Sequence, residues 1–228
     1  MNAVGAVILA AGGSSRLGRP KQFLQHEGET LVRRSVRTAI NGGCSPVVIV
    51  AGAEGPRIER EVEGLAACVV HHPEWQRGIG TSIRAGLKQT LTLAPDLEAL
   101  VVMVCDQPFV NAELIAALLA KYATEHMNAA CAYADTVGVP ALFTRSFFAR
   151  LASLPDDRGA SRLFAQFPHE VATVSFPEGA IDIDTIADCR THLGEDQESV
   201  ELYKTTAKFE GPPGREQHGF PAKEEVPG

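Results

Sequence analysis

Val4-Gly-Ala-Val-Ile-Leu-Ala-Ala-Gly-Gly-Ser-Ser-Arg-Leu-Gly-Arg-Pro-Lys-Gln22 is an apolar run that turns directly into a glycine-rich loop. The run 4–9 reads as a buried strand. Behind it, glycines let the backbone turn its N–H groups toward an anion, while Arg16, Arg19 and Lys21 supply fixed positive charge. A loop of this build holds a nucleoside triphosphate. It is not a Walker A loop: Gly13 and Gly18 have that spacing, but Arg19-Pro20 follows where lysine and a hydroxyl are needed. The dinucleotide fingerprint GxGxxG is also missing, which argues against a nicotinamide-dependent dehydrogenase.

Outward from the loop, further apolar runs at 46–50, 67–70, 99–104 and 129–133 are predicted to be strands. Amphipathic stretches at 31–40, 57–64, 81–91, 112–125 and 145–152 are predicted to be helices, with Asn111 capping the fourth. Strands separated by single helices imply right-handed crossovers and a mostly parallel sheet covered on both faces. The expected fold is therefore a three-layer α/β/α sandwich with a Rossmann-like sheet. Ligands of such sheets bind beyond the carboxyl ends of the strands, so the loops after Leu9 and after Val104 belong to one edge.

Residues 1–193 are expected to form one domain. From Gly194 onward, eight acidic and four basic side chains supply −4 of the net −7. This segment, 194–228, is polar and rich in proline and glycine, and is expected to be disordered apart from one helical turn near Val200. The acidic balance does not favour a nucleic-acid partner. No apolar stretch approaches the ~20 residues that cross a bilayer, so no membrane partner is expected. The N-terminal residues lack a basic region ahead of the strand and read as strand, not signal peptide. Cys44, Cys68, Cys105, Cys131 and Cys189 are scattered without a CxxC pair, which fits reduced thiols and a cytoplasmic location.

The strand 99–104 runs into Cys105-Asp-Gln-Pro108, so Asp106 sits at its carboxyl tip facing the triphosphate loop. A magnesium ion on phosphates needs one or two protein carboxylates, and Asp106 suits the first; an aspartate opening a turn before Pro108 is the structural alternative. Ala180-Ile-Asp-Ile-Asp-Thr185 offers a second pair, with Asp182 and Asp184 placed by alternation on one face of a short strand. Capping of the last helix by Asp184 or Thr185 through Asp188 competes with metal binding there.

In His71-His-Pro-Glu-Trp-Gln-Arg-Gly-Ile-Gly-Thr-Ser82, Gly78 and Gly80 permit a close backbone approach and Ser82 opens a helix. This loop is assigned to base and ribose. Adjacent histidines point apart, which disfavours zinc, and Trp75 reads as a loop anchor. Val137-Gly-Val-Pro140, with Gly138 and Pro140, is expected to approach an acceptor molecule. Arg158 and Arg162 suit bidentate phosphate recognition, with a solvated helix start as the alternative.

The loop, the His71-to-Leu87 segment, Cys105-Asp-Gln-Pro108 and Asp182-Ile-Asp-Thr185 occur here in one order. In them the chain resembles the molybdenum cofactor nucleotidyltransferases of the MobA-like NTP transferase family, closest to the MocA-type cytidylyltransferase branch. The resemblance spans roughly 6–193. It implies that Gly12, Gly13, Ser14 and Arg16 hold β- and γ-phosphates, that Lys21 sits on the α-phosphate, and that Ser82 contacts cytidine. It further implies Mg2+, or Mn2+ in its place, on Asp106 with Asp182 or Asp184. Leu9-Ala-Ala-Gly12 stands where guanylyl-transferring relatives read LAGG, and the methyl of Ala11 is expected to narrow the base site toward a pyrimidine. Leu9 and Ala10 complete that edge. Thr81 replaces a frequent serine, and Ile186-Ala187 replaces the usual Pro-Glu.

The implied activity is transfer of CMP from CTP to the phosphate of a molybdopterin-type cofactor, with transient docking to a molybdenum-hydroxylase apoenzyme. Methylerythritol-phosphate or sugar-phosphate nucleotidyl transfer, guanylyl transfer to the same cofactor and a non-catalytic cofactor carrier are the alternatives.

Overall fold

The computed structural model describes residues 3–12, 17, 19–183 and 185–194. Those residues fall in one compact unit, Met1–Glu195. The tail beyond it, including the helical turn expected near Val200, lies outside the described residues, as do Gly13, Ser14, Arg16 and Asp184.

The run at the start forms β1 (Val4–Ala10), buried at all seven positions. A small hairpin, β2 (Gln25–His26) and β3 (Glu29–Thr30), leads into α1 (Leu31–Asn41), whose first turn is capped by the Thr30 side chain. Then come β4 (Val47–Ala51), α2 (Gly55–Glu61), β5 (Ala67–His71), α3 (Ile79–Leu93), β6 (Ala99–Val104) and α4 (Ala112–Glu125). The predicted cap of α4 is formed, Asn111 Oδ1 accepting from Leu114 N–H at 2.9 Å.

β7 (Asn128–Tyr133) and β8 (Thr136–Thr144) follow as a hairpin, then α5 (Phe148–Ala152), α6 (Ser161–Gln166), β9 (Val171–Ser175) and α7 (Ile186–Asp188). The helix expected over 145–152 begins as a 3-10 turn, Arg145–Phe147, before α5. β8, β9 and the β2–β3 hairpin were not predicted from the sequence.

Among the described residues the main sheet has the order β5-β4-β1-β6-β8-β7-β9. β5, β4, β1 and β6 are mutually parallel, whereas β8 runs antiparallel to both β6 and β7. Side chains alternate across this sheet. Ala6, Ile8 and Ala10 of β1 share a core with Val32 and Val36 of α1 and Ile115 and Leu118 of α4. Val7 and Leu9 face the opposite core, with Ile83 and Leu87 of α3 and Phe148 of α5. The expected three layers are therefore present.

A third, smaller cluster joins parts distant in sequence. Leu17 from the glycine loop, Leu24, Leu31, Ile183 and Cys189 are packed together. Ile183 is fully buried, a contribution of about 1.5–3 kcal/mol. That contact fastens the C-terminal segment beside the glycine loop.

Candidate functional site

From β1 the chain proceeds outward through β4 to β5, then returns to the other side of β1 at β6. Strand order therefore reverses between β1 and β6, and such a reversal opens a crevice at the carboxyl ends of the two strands. Leu9 is paired with Val104 in register, so the loops that follow them start side by side. The crevice is a cavity of about 330 Å3 lined by Leu9, Ala11, Gly12, Lys21, Ser82 and Asp106, among others. A Cβ built on Gly12 would meet nothing within 4 Å. Its backbone therefore faces open space.

Lys21 Nζ lies 3.2 Å from Asp106 Oδ2 across 85 positions of sequence, with the two side chains 18% and 27% exposed. Partial burial weakens solvent screening of this pair. Gln22, the next residue, is 3% exposed and donates its Nε2 to Ala10 O at 2.7 Å and to Gly12 O at 3.1 Å. It clamps the end of β1 to the first turn of the loop and so fixes where Lys21 starts. The sequence reading gave Gln22 no role, because a polar residue after lysine carries no signal of burial.

On the far side of Asp106, Ile183 N–H donates to its carbonyl at 3.4 Å. That bond brings the segment holding Asp182 to the tip of β6. The expected strand there is corrected: 181–183 is not β-structure, and its position comes from this bond and from burial of Ile183. Asp182 is exposed. The capping alternative is realised by Thr185 with Asp188, as that reading allowed: Asp188 N–H donates to Thr185 Oγ1 at 3.2 Å and Thr185 N–H to Asp188 Oδ2 at 2.7 Å. Among the described residues no group of three His, Cys, Asp or Glu could cage a metal ion by itself. Asp106 and Asp182 instead offer hard oxygen donors with coordination left over for phosphate and water, which fits Mg2+ or Mn2+.

The 71–82 loop differs in detail from the expectation. Gly78 and Gly80 do permit a close approach, but to the protein's own chain. A Cβ on Gly80 would lie 2.0 Å from Pro155 O, and one on Gly78 2.3 Å from Asp156 O. Gly80 N–H donates to Asp156 O at 2.8 Å, so the 155–158 segment caps α3. Asp156 also receives Arg77 Nη2 at 2.7 Å and Arg84 Nη2 at 2.5 Å. Hydrogen bonds from Arg84, then Arg77, hold its carboxyl below the usual range.

Ser82 is buried and lines the cavity. Trp75 packs on Gly52, as an anchor would, and its ring also walls the cavity. The two histidines take separate partners: His71 meets Glu59 Oε1 at 2.8 Å and His72 meets Thr81 Oγ1 at 2.8 Å. Burial, first among several causes, lowers the His72 pKa.

A second cavity of about 200 Å3 adjoins the first through Leu9, Ile79 and Val104, which line both. Gly138, Tyr133 and Ser161 line it as well. Tyr133 donates its hydroxyl to Val139 O at 3.1 Å, and a Cβ on Gly138 would fall 2.2 Å from the Tyr133 hydroxyl oxygen. Of the expected acceptor contacts, Gly138 lines this cavity, Pro140 is buried within β8 and does not, and Arg158 lines a different one. Cys105, beside Asp106, is buried and its thiol is pushed up chiefly by that burial, which makes it a poor nucleophile.

The model of the MobA-like NTP transferase domain matches residues 6–171. The chain belongs to this family. Nicotine blue oxidoreductase of Paenarthrobacter nicotinovorans is 35% identical over 128 residues, covering 56% of this chain and 61% of that protein. Molybdenum cofactor cytidylyltransferase of Escherichia coli is 32% identical over 93 residues, covering 40% of this chain and 48% of that protein. The matches thus span less than two thirds of either curated relative. Crystal structures of Rv0371c from Mycobacterium tuberculosis superpose with a TM-score of 0.71 at 29% identity, covering 85% of this chain and 98% of that one. A second, described as a complex with manganese, gives 0.67 at 27% identity, covering 85% and 99%. The fold expected from sequence is the fold of these neighbours. No described helix is long and apolar enough to cross a membrane.

Proposed function

We propose that this MobA-like protein is a nucleotidyltransferase that moves CMP from CTP to the terminal phosphate of a molybdopterin-type molybdenum cofactor, releasing pyrophosphate. The Lys21–Asp106 pair at 3.2 Å, lining the larger cavity, which shares Leu9, Ile79 and Val104 with the smaller one, is the observation that carries this reading. The larger cavity takes the nucleotide, with Ala11, Trp75 and Ser82 on the base side and Gly12, Gly13, Ser14, Arg16 and Lys21 along the phosphates. The smaller cavity takes the acceptor against Gly138 and Tyr133.

An oxygen of the acceptor phosphate forms a bond to the α-phosphorus of CTP. The bridging α–β bond breaks, and its electron pair leaves with pyrophosphate. The attacking oxygen is already ionised near neutral pH, so no proton has to be removed. Lys21 stabilises charge on the α-phosphate, Arg16 holds the departing pyrophosphate, and Gln22 keeps the loop in place through Ala10 and Gly12. A Mg2+ or Mn2+ ion held by Asp106 with Asp182 or Asp184 would neutralise phosphate charge when bound. Homology to the cytidylyltransferase and the manganese complex of Rv0371c support this assignment.

The test is pyrophosphate release by the purified chain supplied with molybdenum cofactor, Mg2+ and either CTP or GTP. Release with CTP and the matching cytosine dinucleotide is expected. Release with GTP alone would move the chain to the guanylyl branch. Release only with methylerythritol phosphate or a sugar phosphate would change the acceptor. No release with any pair, while the cofactor stays bound, would leave a carrier that docks to a molybdenum apoenzyme. The 35% identity to nicotine blue oxidoreductase raises a redox reading. Oxidation of NADH or NADPH by the same preparation, without pyrophosphate release, would replace the transferase assignment.

A further inference from the structure

Beside the segment that caps α3, three arginines from three separate places converge on one cavity of about 300 Å3. Arg150 comes from α5, Arg158 from the loop after it, and Arg162 from α6. Leu163 and Phe167 give the cavity apolar walls, and none of its lining residues carries a carboxylate. It shares no lining residue with either cavity of the proposed transfer site.

The charge there is poorly compensated for a chain of net charge −7. Arg150 and Arg162 form no ion pair among the described residues, and Arg158 reaches only the exposed Asp157, Nε to Oδ2, at 3.4 Å. Arg150 is held in place by rings instead. Its guanidinium carbon lies 4.4 Å from the Phe147 centroid and 4.1 Å from the Phe167 centroid. Such contacts orient a guanidinium without using its N–H donors. A positively charged recess with apolar walls focuses its field and concentrates anions. Planar guanidinium forks match the tetrahedral oxygens of phosphate better than a point charge does.

We propose that this cavity is a second anion site, taking a small phosphomonoester. Its phosphate is gripped by Arg150, Arg158 and Arg162, and its apolar body lies on Leu163 and Phe167. The site does not depend on the transfer reaction and is addressed separately from it. The test uses the full chain, labelled with 15N, titrated with phenyl phosphate and followed through backbone amides. Saturable shifts over 150–167 are expected, resolved from any shifts over 9–22 that report the nucleotide cavity. Phenol at the same concentration is expected to leave 150–167 unmoved. Arg162→Glu is expected to weaken binding at least tenfold, and Arg162→Lys to weaken it about threefold, because lysine keeps the charge but loses the fork. Arg162 is exposed, so the melting temperature should hold; if it falls, Arg162→Gln serves the same comparison. Unmoved amides over 150–167, equal shifts with phenol, or unchanged affinity in the charge-reversed variant would overturn the proposal.

Discussion

The parallel half of the sheet, β5-β4-β1-β6, and the half made by β8, β7 and β9 are specified in different ways. Each parallel strand is a run of apolar residues followed by a helix, a pattern that local chemistry alone makes recognisable. In the second half the reversal between β7 and β8 is carried by Ala134 and Asp135, both at positive φ, 45° and 57°. Such two-residue turns favour asparagine and glycine, and neither is there. β9 is half-exposed at the sheet edge. The larger cavity belongs mainly to the first half, and the smaller one draws on both. Chemistry common to a family can therefore be read early, while under the proposed function the acceptor is selected in the part least marked by sequence.

The sharpest break in this contrast is Lys21→Ala. Turnover should fall by about 10²–10³, the loss seen when one preorganised donor to a transition-state charge is removed. The melting temperature and the affinity for CTP should change little, and steady-state kinetics with a thermal melt checks both. Near-normal turnover would remove Lys21 from the chemistry.

Gly80→Ala probes the seam between the halves, since its Cβ would meet Pro155 O at 2.0 Å. A stability loss of about 3 kcal/mol is expected, at the upper end for overpacking, measured by urea unfolding. An unchanged midpoint would mean that the 155–158 segment is not packed on α3 as described. Gln22→Ala removes the bonds to Ala10 O and Gly12 O. It should cost about 1–3 kcal/mol and raise KM for the nucleotide more than it lowers kcat. Ala134→Gly should have the smallest effect, a gain of about 0.5–1 kcal/mol from relief of the left-handed conformation. A loss there would show that the β7–β8 turn is not strained at this residue.

Legibility followed the range of the interactions. Asn111 as a helix cap, the run 4–9 and Asp106 at a strand tip depend on neighbours within a few positions, and each appears as expected. Gln22, Tyr133 and the closure of 155–158 over Gly80 depend on partners that no local pattern names. Gly80 shows the limit well: its smallness was legible, but what occupies the space beside it was not.

By itself, the sequence determined a mostly parallel α/β sheet, a glycine loop rich in positive charge, and an aspartate at a strand end, because hydrophobic periodicity and backbone permissiveness are local properties. Only the tertiary structure decided that Lys21 and Asp106 meet, that Ile183 ties the segment of Asp182 to Asp106, and that Arg158 and Gly138 line different cavities. Those outcomes depend on strand order and on burial shared between segments far apart in the chain, and neither is written in any single stretch of residues.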